Sequence, residues 1–494
     1  MKILYVTSEA FPYAKTGGLA DVAGALPKAL SAAGCEVKVV MPGYKSIKEG
    51  DPAFNDDLSV SLNGRAEKFK VKTTSLPGSK VPIYFLSNAK YFNRAGFYQE
   101  NGKDYPDNAE RFASFCMATL ELCKKLGWAP DVINCNDWQT ALIPVYLKTR
   151  LAGDDFFKTT ATVYTIHNLG YQGLAGADAV AKAGIDPKNF VADQLEFYGK
   201  LNLMKGGLVF SDMLSTVSKT YSTEIQTPEF GCGLDGVLAL RRQDLFGILN
   251  GLDYDVWNPE ADSDISRNYS DNRLIDKKYN KEDIQKSFGL PLAVNKPLLA
   301  MISRLDKHKG FDLVAKSIDA IIAMGVQFVL LGTGAPEYHE LFQRLHKKFP
   351  DQVGIKLGFD AAVAKKIYAG ADIFLMPSHY EPCGLGQLIS LRYGTVPVVR
   401  KTGGLADTII DYNRNKRSGT GFVFEPYDAE AFMDAVRRAC DTFREKTAWT
   451  KLQQRAMLAN FSWEVQSKEY IKLYKKAILK VKKSASMALL AAQK

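Results

Sequence analysis

Histidine is scarce in this chain: there are five in 494 residues, and His167 alone falls in the first 300. Cysteine is sparse and unpatterned. The seven residues Cys35, Cys116, Cys123, Cys135, Cys232, Cys383 and Cys440 are odd in number and include no Cys-x-x-Cys. That excludes a disulfide framework and a zinc site, and fits a reducing compartment. No apolar run approaches the roughly 18 residues of a membrane helix. The opening Met-Lys-Ile-Leu-Tyr-Val-Thr-Ser-Glu turns polar too soon for a signal peptide, so a cytoplasmic protein without a membrane partner is expected. The net charge is +10, yet Lys and Arg are mostly single, with one dense stretch at Lys475-Lys476 and Lys480 to Lys483. No basic-aromatic recognition pattern appears, so no nucleic-acid partner is expected, and phosphorylated small molecules remain as anionic partners. Asp253-Tyr-Asp255 and Asp262-Ser-Asp264 match a metal-holding pattern, but neither is followed by further ligands. Both read as structural, and no metal is expected.

What is present is a repeated strand–helix grammar. Ile3 to Val6, Glu36 to Met41, Val81 to Leu86, Val132 to Cys135 and Ala161 to Ile166 read as strands. Between them, Leu19 to Ala33, Ala109 to Leu126 and Trp138 to Thr149 read as helices. The grammar restarts with strands at Pro297 to Ser303, Gln327 to Leu331, Ile373 to Met376 and Val396 to Val399, and a helix at Phe311 to Met324. Strands alternating with helices predict α/β architecture with parallel, doubly wound sheets. The length predicts two large domains, with irregular chain over Asn258 to Asn280 and a hinge around Gly247 to Asp253.

Lys15-Thr-Gly-Gly-Leu-Ala-Asp21 recurs as Lys401-Thr-Gly-Gly-Leu-Ala-Asp407, each shortly after a strand and opening a helix. Gly17-Gly18 would let backbone approach a ligand, the helix start would offer N–H groups to an anion, and Lys15 adds a charge. A plain strand-to-helix turn is the competing reading. Arg304 and Lys309 sit in Ser303-Arg-Leu-Asp-Lys-His-Lys-Gly310 at a strand end. Two fixed cations there suit a diphosphate, although a solvated basic loop would look the same. In Ser378-His-Tyr-Glu-Pro-Cys-Gly-Leu-Gly-Gln387, Pro382 reads as a helix start offering the N–H groups of Cys383, Gly384 and Leu385, while Glu381 can accept sugar hydroxyls. Cys383 has no base and orienter around it, so a buried small residue is the plainer reading than a nucleophile. His167 and Asp137 each follow a strand and stand between structural and functional readings.

Together these motifs resemble the bacterial glycogen synthase and plant starch synthase family. The matching segments are 15–21, Asn-Asp-Trp-Gln at 136–139, His-Asn-Leu at 167–169, Asn-Gly-Leu-Asp at 250–253, 303–310 and Glu-Pro-Cys-Gly-Leu at 381–385. The resemblance runs in order from Met1 to about Tyr474. It implies two facing Rossmann-like domains of GT-B type: an acceptor-side domain at 1–248, a nucleotide-sugar domain at 249–460, and a C-terminal helix at 461–494 that crosses back to the first. It implies retaining transfer of glucose from ADP-glucose to the non-reducing end of an α-1,4-glucan or maltooligosaccharide, with no cofactor. Residue by residue, it implies donor and diphosphate contacts at Lys15, Gly18, Asp21, Arg304 and Lys309. Glu381, Cys383, Gly384 and Leu385 take the glucose and phosphate side, and His167 and Asn250 the anomeric side. Asp137 is implied on the acceptor side, Phe359 against adenine and Tyr98 in a loop along the donor cleft. The chain then belongs in a bacterial cytoplasm, or in a plastid as a mature form.

Retention through a covalent intermediate needs two close carboxylates, and no second one is evident opposite Glu381. The resemblance implies front-face displacement instead. Gly386 departs from the family's common hydroxyl residue, His379-Tyr380 from Arg-Phe, Gln139 from His and His308 from Gln. These positions bear on ADP over UDP preference and on acceptor choice. Three competitors are a catalytically weak glucan-binding scaffold, a same-fold transferase with another acceptor, and a glucan phosphorylase, which would need a cofactor-bearing lysine and a longer chain. Loss of Arg304 or Lys309 should cut turnover, with stability barely changed if both side chains face solvent.

Overall fold

Parallel strands buried on both faces read as unbroken apolar runs. The runs singled out above become strands of this kind in the computed structural model, which describes residues 1–62 and 64–492. The chain divides into two units. The first comprises Met1–Val217, Ser222–Gly251 and Trp463–Lys494, and the second Ser218–Tyr221 and Leu252–Ser462.

The first unit is built on a ten-stranded sheet. Its order across the sheet is Leu245–Gly247, Met213–Thr216, Ala161–Ile166, Val132–Asn136, Lys2–Val6, Glu36–Pro42, Pro82–Ser87, Arg65–Ser75 and Asp51–Pro52, with Leu58–Leu62 paired to Arg65–Ser75. The strands from Leu245–Gly247 to Pro82–Ser87 are parallel. The remaining edge is antiparallel. From Lys2–Val6 the chain first winds toward Glu36–Pro42 and later returns to Val132–Asn136 on the other side. The order therefore reverses between the two middle strands, and in such sheets ligands bind beyond the carboxyl ends at that reversal.

The second unit has a six-stranded, all-parallel sheet in the order Val353–Leu357, Gln327–Gly332, Leu298–Ile302, Ile373–Met376, Val396–Arg400, Phe422–Phe424. Its reversal lies between Leu298–Ile302 and Ile373–Met376. The final helix, Trp463–Ala492, belongs to the first unit. There Tyr474 Oη donates to Asn134 Oδ1 at 3.0 Å and Lys480 Nζ to Asp244 Oδ1 at 2.6 Å. Among the described residues, no helix is long and apolar enough to cross a membrane.

Two local expectations are corrected. Trp138 to Thr149 is not one helix: a single turn at Trp138–Thr140 precedes the helix Leu142–Lys148, because Asp137 enters at φ 54° and sets a separate turn. Pro382 does not open a helix. The helix begins at Gly386, and Gly384 at φ 74° carries the chain into it.

Candidate functional site

In the first unit most candidate residues follow three adjacent strands, Lys2–Val6, Val132–Asn136 and Ala161–Ile166, and Asn250 follows the edge strand Leu245–Gly247. After the first strand comes Glu9, a buried carboxylate that sequence reasoning passed over. It accepts the Thr16 N–H at 2.5 Å, the Thr16 hydroxyl at 2.6 Å and the Tyr98 hydroxyl at 2.7 Å, with Gly17 N at 3.4 Å. Two loop N–H groups expected to face an anion thus already serve Glu9, which fixes the shape of the Lys15–Gly18 loop. The helix Gly18–Ala32 starts there, and Lys15 Nζ pairs with Asp21 Oδ1 at 2.6 Å. The Tyr98 oxygen also lies 2.8 Å from Ser8 Oγ, whose hydroxyl it can accept, and burial holds its phenol well above the ordinary range.

Asp137 follows the second strand in the left-handed region, at φ 54°. Its Oδ1 accepts the His167 N–H at 2.8 Å. Burial pushes its pKa up to about 7; hydrogen bonds from the His167 and Asn168 backbone oppose the rise, and the charge of Glu9 adds to it. His167, after the third strand, is buried, and loss of hydration pushes its pKa down to about 3. The ring is therefore neutral at physiological pH. Its Nε2 lies 2.9 Å from Asn136 Oδ1, which also accepts the Tyr5 hydroxyl at 3.1 Å while Asn136 Nδ2 donates to Val6 O at 2.8 Å. That network assigns the proton to Nε2 and the lone pair to Nδ1, an acceptor for a hydroxyl. Asn250, beyond the strand Leu245–Gly247, is buried and its Oδ1 has no partner. An orphaned buried acceptor carries its full desolvation cost, which a bound hydroxyl would remove.

In the second unit the loops after Leu298–Ile302 and Ile373–Met376 lie side by side at the sheet reversal. Gly310, at φ 79°, passes so close to the strand end that an added Cβ would sit 2.1 Å from Pro377 O, and His379 N donates to His308 O at 2.9 Å. This brings Lys309 Nζ to 2.7 Å from Glu381 Oε2, which also accepts the Ser378 hydroxyl at 3.1 Å. Glu381 is buried, whereas the Arg304 side chain is 65% exposed, 4.0 Å from Asp306. The repeated Lys401-Thr-Gly-Gly segment buttresses this loop. Cβ atoms added at Gly403 and Gly404 would meet Glu381 O and Cys383 O, each at 2.0 Å, and Gly404 N donates to Glu381 O at 3.1 Å. Its Asp407 accepts from the backbone of Lys219 and Thr220, whereas Asp21 pairs with the Lys15 side chain. Cys383 is buried, and Gly384 and Leu385 form the turn before the helix Gly386–Arg392. Phe359 follows the edge strand Val353–Leu357, and its ring is 83% exposed.

The sequence candidates thus form two clusters. Lys15, Gly18, Asp21, Tyr98, Asp137, His167 and Asn250 are on the first unit, and Arg304, Lys309, Phe359, Glu381, Cys383, Gly384 and Leu385 on the second. Among described residues no cluster of three or more His, Cys, Asp or Glu side chains could hold a metal. Asp262 and Asp264 both bind Lys365, at 3.1 and 2.9 Å.

The sequence pattern of the starch synthase catalytic domain matches residues 2–240, and that of glycosyl transferases group 1 matches residues 282–455. The glycogen synthase of Geotalea daltonii is 47% identical over 483 residues, covering 97% of this chain and 99% of that protein. The glycogen synthase of Thermotoga maritima is 48% identical over 489 residues, covering 97% and 100%. The solved catalytic domain of starch synthase IV from Arabidopsis thaliana, bound to ADP and acarbose, matches with a TM-score of 0.89 at 32% identity, over 96% of this chain and 99% of that one. The sucrose-phosphate synthase of Thermosynechococcus elongatus matches at 0.56 and 19% identity, over 96% and 98%, a likeness of fold alone.

Proposed function

The chain belongs to the glycogen and starch synthase family of hexosyltransferases, and from that premise we propose which residues move glucose from ADP-glucose to the non-reducing end of an α-1,4-glucan. The observation that carries the assignment is the pair Lys309–Glu381, 2.7 Å apart at the reversal of the second sheet. A cation for a diphosphate oxygen and a carboxylate for sugar hydroxyls stand together where such sheets bind ligands. Arg304 supplies the second, exposed cation, and its planar fork suits two phosphate oxygens. The backbone of Gly384 and Leu385 offers N–H groups to the same anion, and Phe359 gives adenine a flat exposed face. On the first unit, neutral His167 and Asn250 hold glucose hydroxyls, while Lys15 and Gly18 serve the diphosphate. Asp137 serves the acceptor.

The reaction on this reading breaks the bond from the anomeric carbon to the diphosphate and forms one to the glucan 4-hydroxyl on the same face. The hydroxyl proton passes to a departing phosphate oxygen, so retention needs no second carboxylate. Arg304 and Lys309 stabilise the charge that develops on the leaving group, and positioning supplies much of the remaining rate.

A donor-by-acceptor grid tests this: ADP-glucose or UDP-glucose, each with and without maltotriose. ADP release that depends on the glucan is expected, and equal release without it would refute the transfer. Arg304→Ala and Lys309→Ala should each cut turnover about 10²–10³-fold. The two variants should differ in stability. Arg304→Ala leaves stability unchanged because its side chain is mostly in solvent. Lys309→Ala lowers it, because buried Glu381 loses its counter-charge.

A further inference from the structure

A β-hairpin of the first unit presents an aromatic ring to solvent at a backbone position that disfavours a bulky side chain. The strands Glu196–Phe197 and Lys200–Asn202 are joined by Tyr198 and Gly199. Tyr198 stands at φ 50°, in the left-handed region where a bulky residue is a real outlier, and it is 83% exposed. Glycine or asparagine would fit that turn without strain. Strain held at a side chain whose printed ring contact is one edge-on neighbour, Phe197, points to a use for its exposed face.

The hairpin is held firmly from below. Glu196 accepts the Gly199 N–H at 2.6 Å, and Lys205 Nζ donates to Ala192 O at 2.5 Å and Glu196 O at 2.7 Å. The Phe197 ring meets Tyr198 edge-on at 4.7 Å and packs so closely on Gly233 that an added Cβ there would lie 2.9 Å from it. The platform is also continuous with the acceptor-side cluster. Lys200–Asn202 pairs with Leu174–Ala175, Asn202 Nδ2 donates to Gln172 Oε1 at 2.7 Å, and Gly173 abuts the ring of Trp138, next to Asp137. Along this path Tyr171 is 57% exposed and Leu174 49%.

We propose that the Tyr198 hairpin is a docking platform for the distal part of a glucan chain whose reacting end lies at Asp137 and His167. The proposal rests on the functional reading above. The chemistry favours a polysaccharide: Glu196 and Lys205 are engaged within the protein, exposed Lys200 can donate to a hydroxyl, and a flat ring with one hydroxyl suits the apolar face and hydroxyl rim of a pyranose. Only an acceptor long enough to reach from Trp138 to the hairpin would touch it.

The test substitutes Tyr198→Asn, which removes the ring and suits the backbone, and Tyr198→Phe, which keeps the ring. ADP release is measured with maltotriose and with glycogen, alongside thermal melting and sedimentation. For Tyr198→Asn, the expected result is an apparent KM for glycogen raised about 5–10-fold, the scale of one aromatic contact. Activity with maltotriose stays at the wild-type level, and melting temperature is unchanged or raised. Tyr198→Phe keeps most of the glycogen affinity. A glycogen KM within twofold of wild type overturns the platform, as does an equal loss with both acceptors. A wild-type dimer that Tyr198→Asn dissociates overturns it in favour of a second copy as occupant. Absence of glucan-dependent release in the wild type would defeat the functional reading itself, before the hairpin is tested.

Discussion

At the scale of single residues, Asp137 joins two costs, a left-handed backbone and a carboxyl deprived of water. Its folded pKa of about 7 lies above the ordinary 3.8, so the folded state holds the proton more tightly than the unfolded chain. Stability is therefore highest below the ordinary pKa and falls as pH rises to about 7. In Asp137→Asn the amide oxygen still accepts the His167 N–H, and the titration disappears. The variant should gain about 1–3 kcal/mol over wild type at pH 8, with less gain at pH 5, while glucan-dependent turnover falls. Urea melts at the two pH values check this; an advantage that shrinks toward pH 8 would contradict it. Asp137 and His167 were legible because each follows an apolar run that could only be a strand. Glu9 was not. It stands in no motif, and its role arises from Thr16 and Tyr98 folding over it, a long-range fact that no local spacing encodes.

At the scale of elements, two identical segments do different work. Lys15-Thr-Gly-Gly and Lys401-Thr-Gly-Gly each follow a parallel strand and open a helix, as their repetition indicated. Sequence could not say which would line a site and which would brace one. At Gly17, φ is −155° and nothing lies within 4 Å of an added Cβ. At Gly404 an added Cβ would strike Cys383 O at 2.0 Å. Gly17→Ala should change stability by less than about 0.5 kcal/mol, whereas Gly404→Ala should cost more than about 3 kcal/mol or prevent folding. Chemical denaturation of the two variants separates them, and similar losses would refute the distinction. The parallel strands were readable from composition because both faces are buried. The antiparallel pair Leu58–Leu62 and Arg65–Ser75 was missed: one face meets water, so serines in the first strand and charged residues in the second interrupt the apolar signal.

At the scale of the whole chain, the last helix ties the C-terminus to the unit that contains the N-terminus. Tyr470, Leu473, Tyr474 and Ala477 are buried, and Tyr474 hydrogen-bonds Asn134 inside the central strand that leads to Asp137. The helix packs on Gly18–Ala32, Val132–Asn136 and Ala161–Ile166, the elements that position Lys15, Asp137 and His167. A chain ending at Ser462 therefore uncovers the support of the first-unit cluster while leaving every second-unit residue in place. Each large apolar side chain lost from a buried face costs about 1.5–3 kcal/mol, so the loss is comparable to a typical domain's margin of about 5–15 kcal/mol. Calorimetry of that truncation should show the first unit's transition shifted down by ~10 °C or abolished, with the second unit's transition retained. Glucan-dependent turnover should vanish. Tyr474→Phe isolates one contact and should lower stability by about 1–3 kcal/mol, since Asn134 Oδ1 loses a buried donor. A truncated chain that melts like the full one would show that the helix merely rests on the first unit, and the folding of the two ends into one core would have to be abandoned.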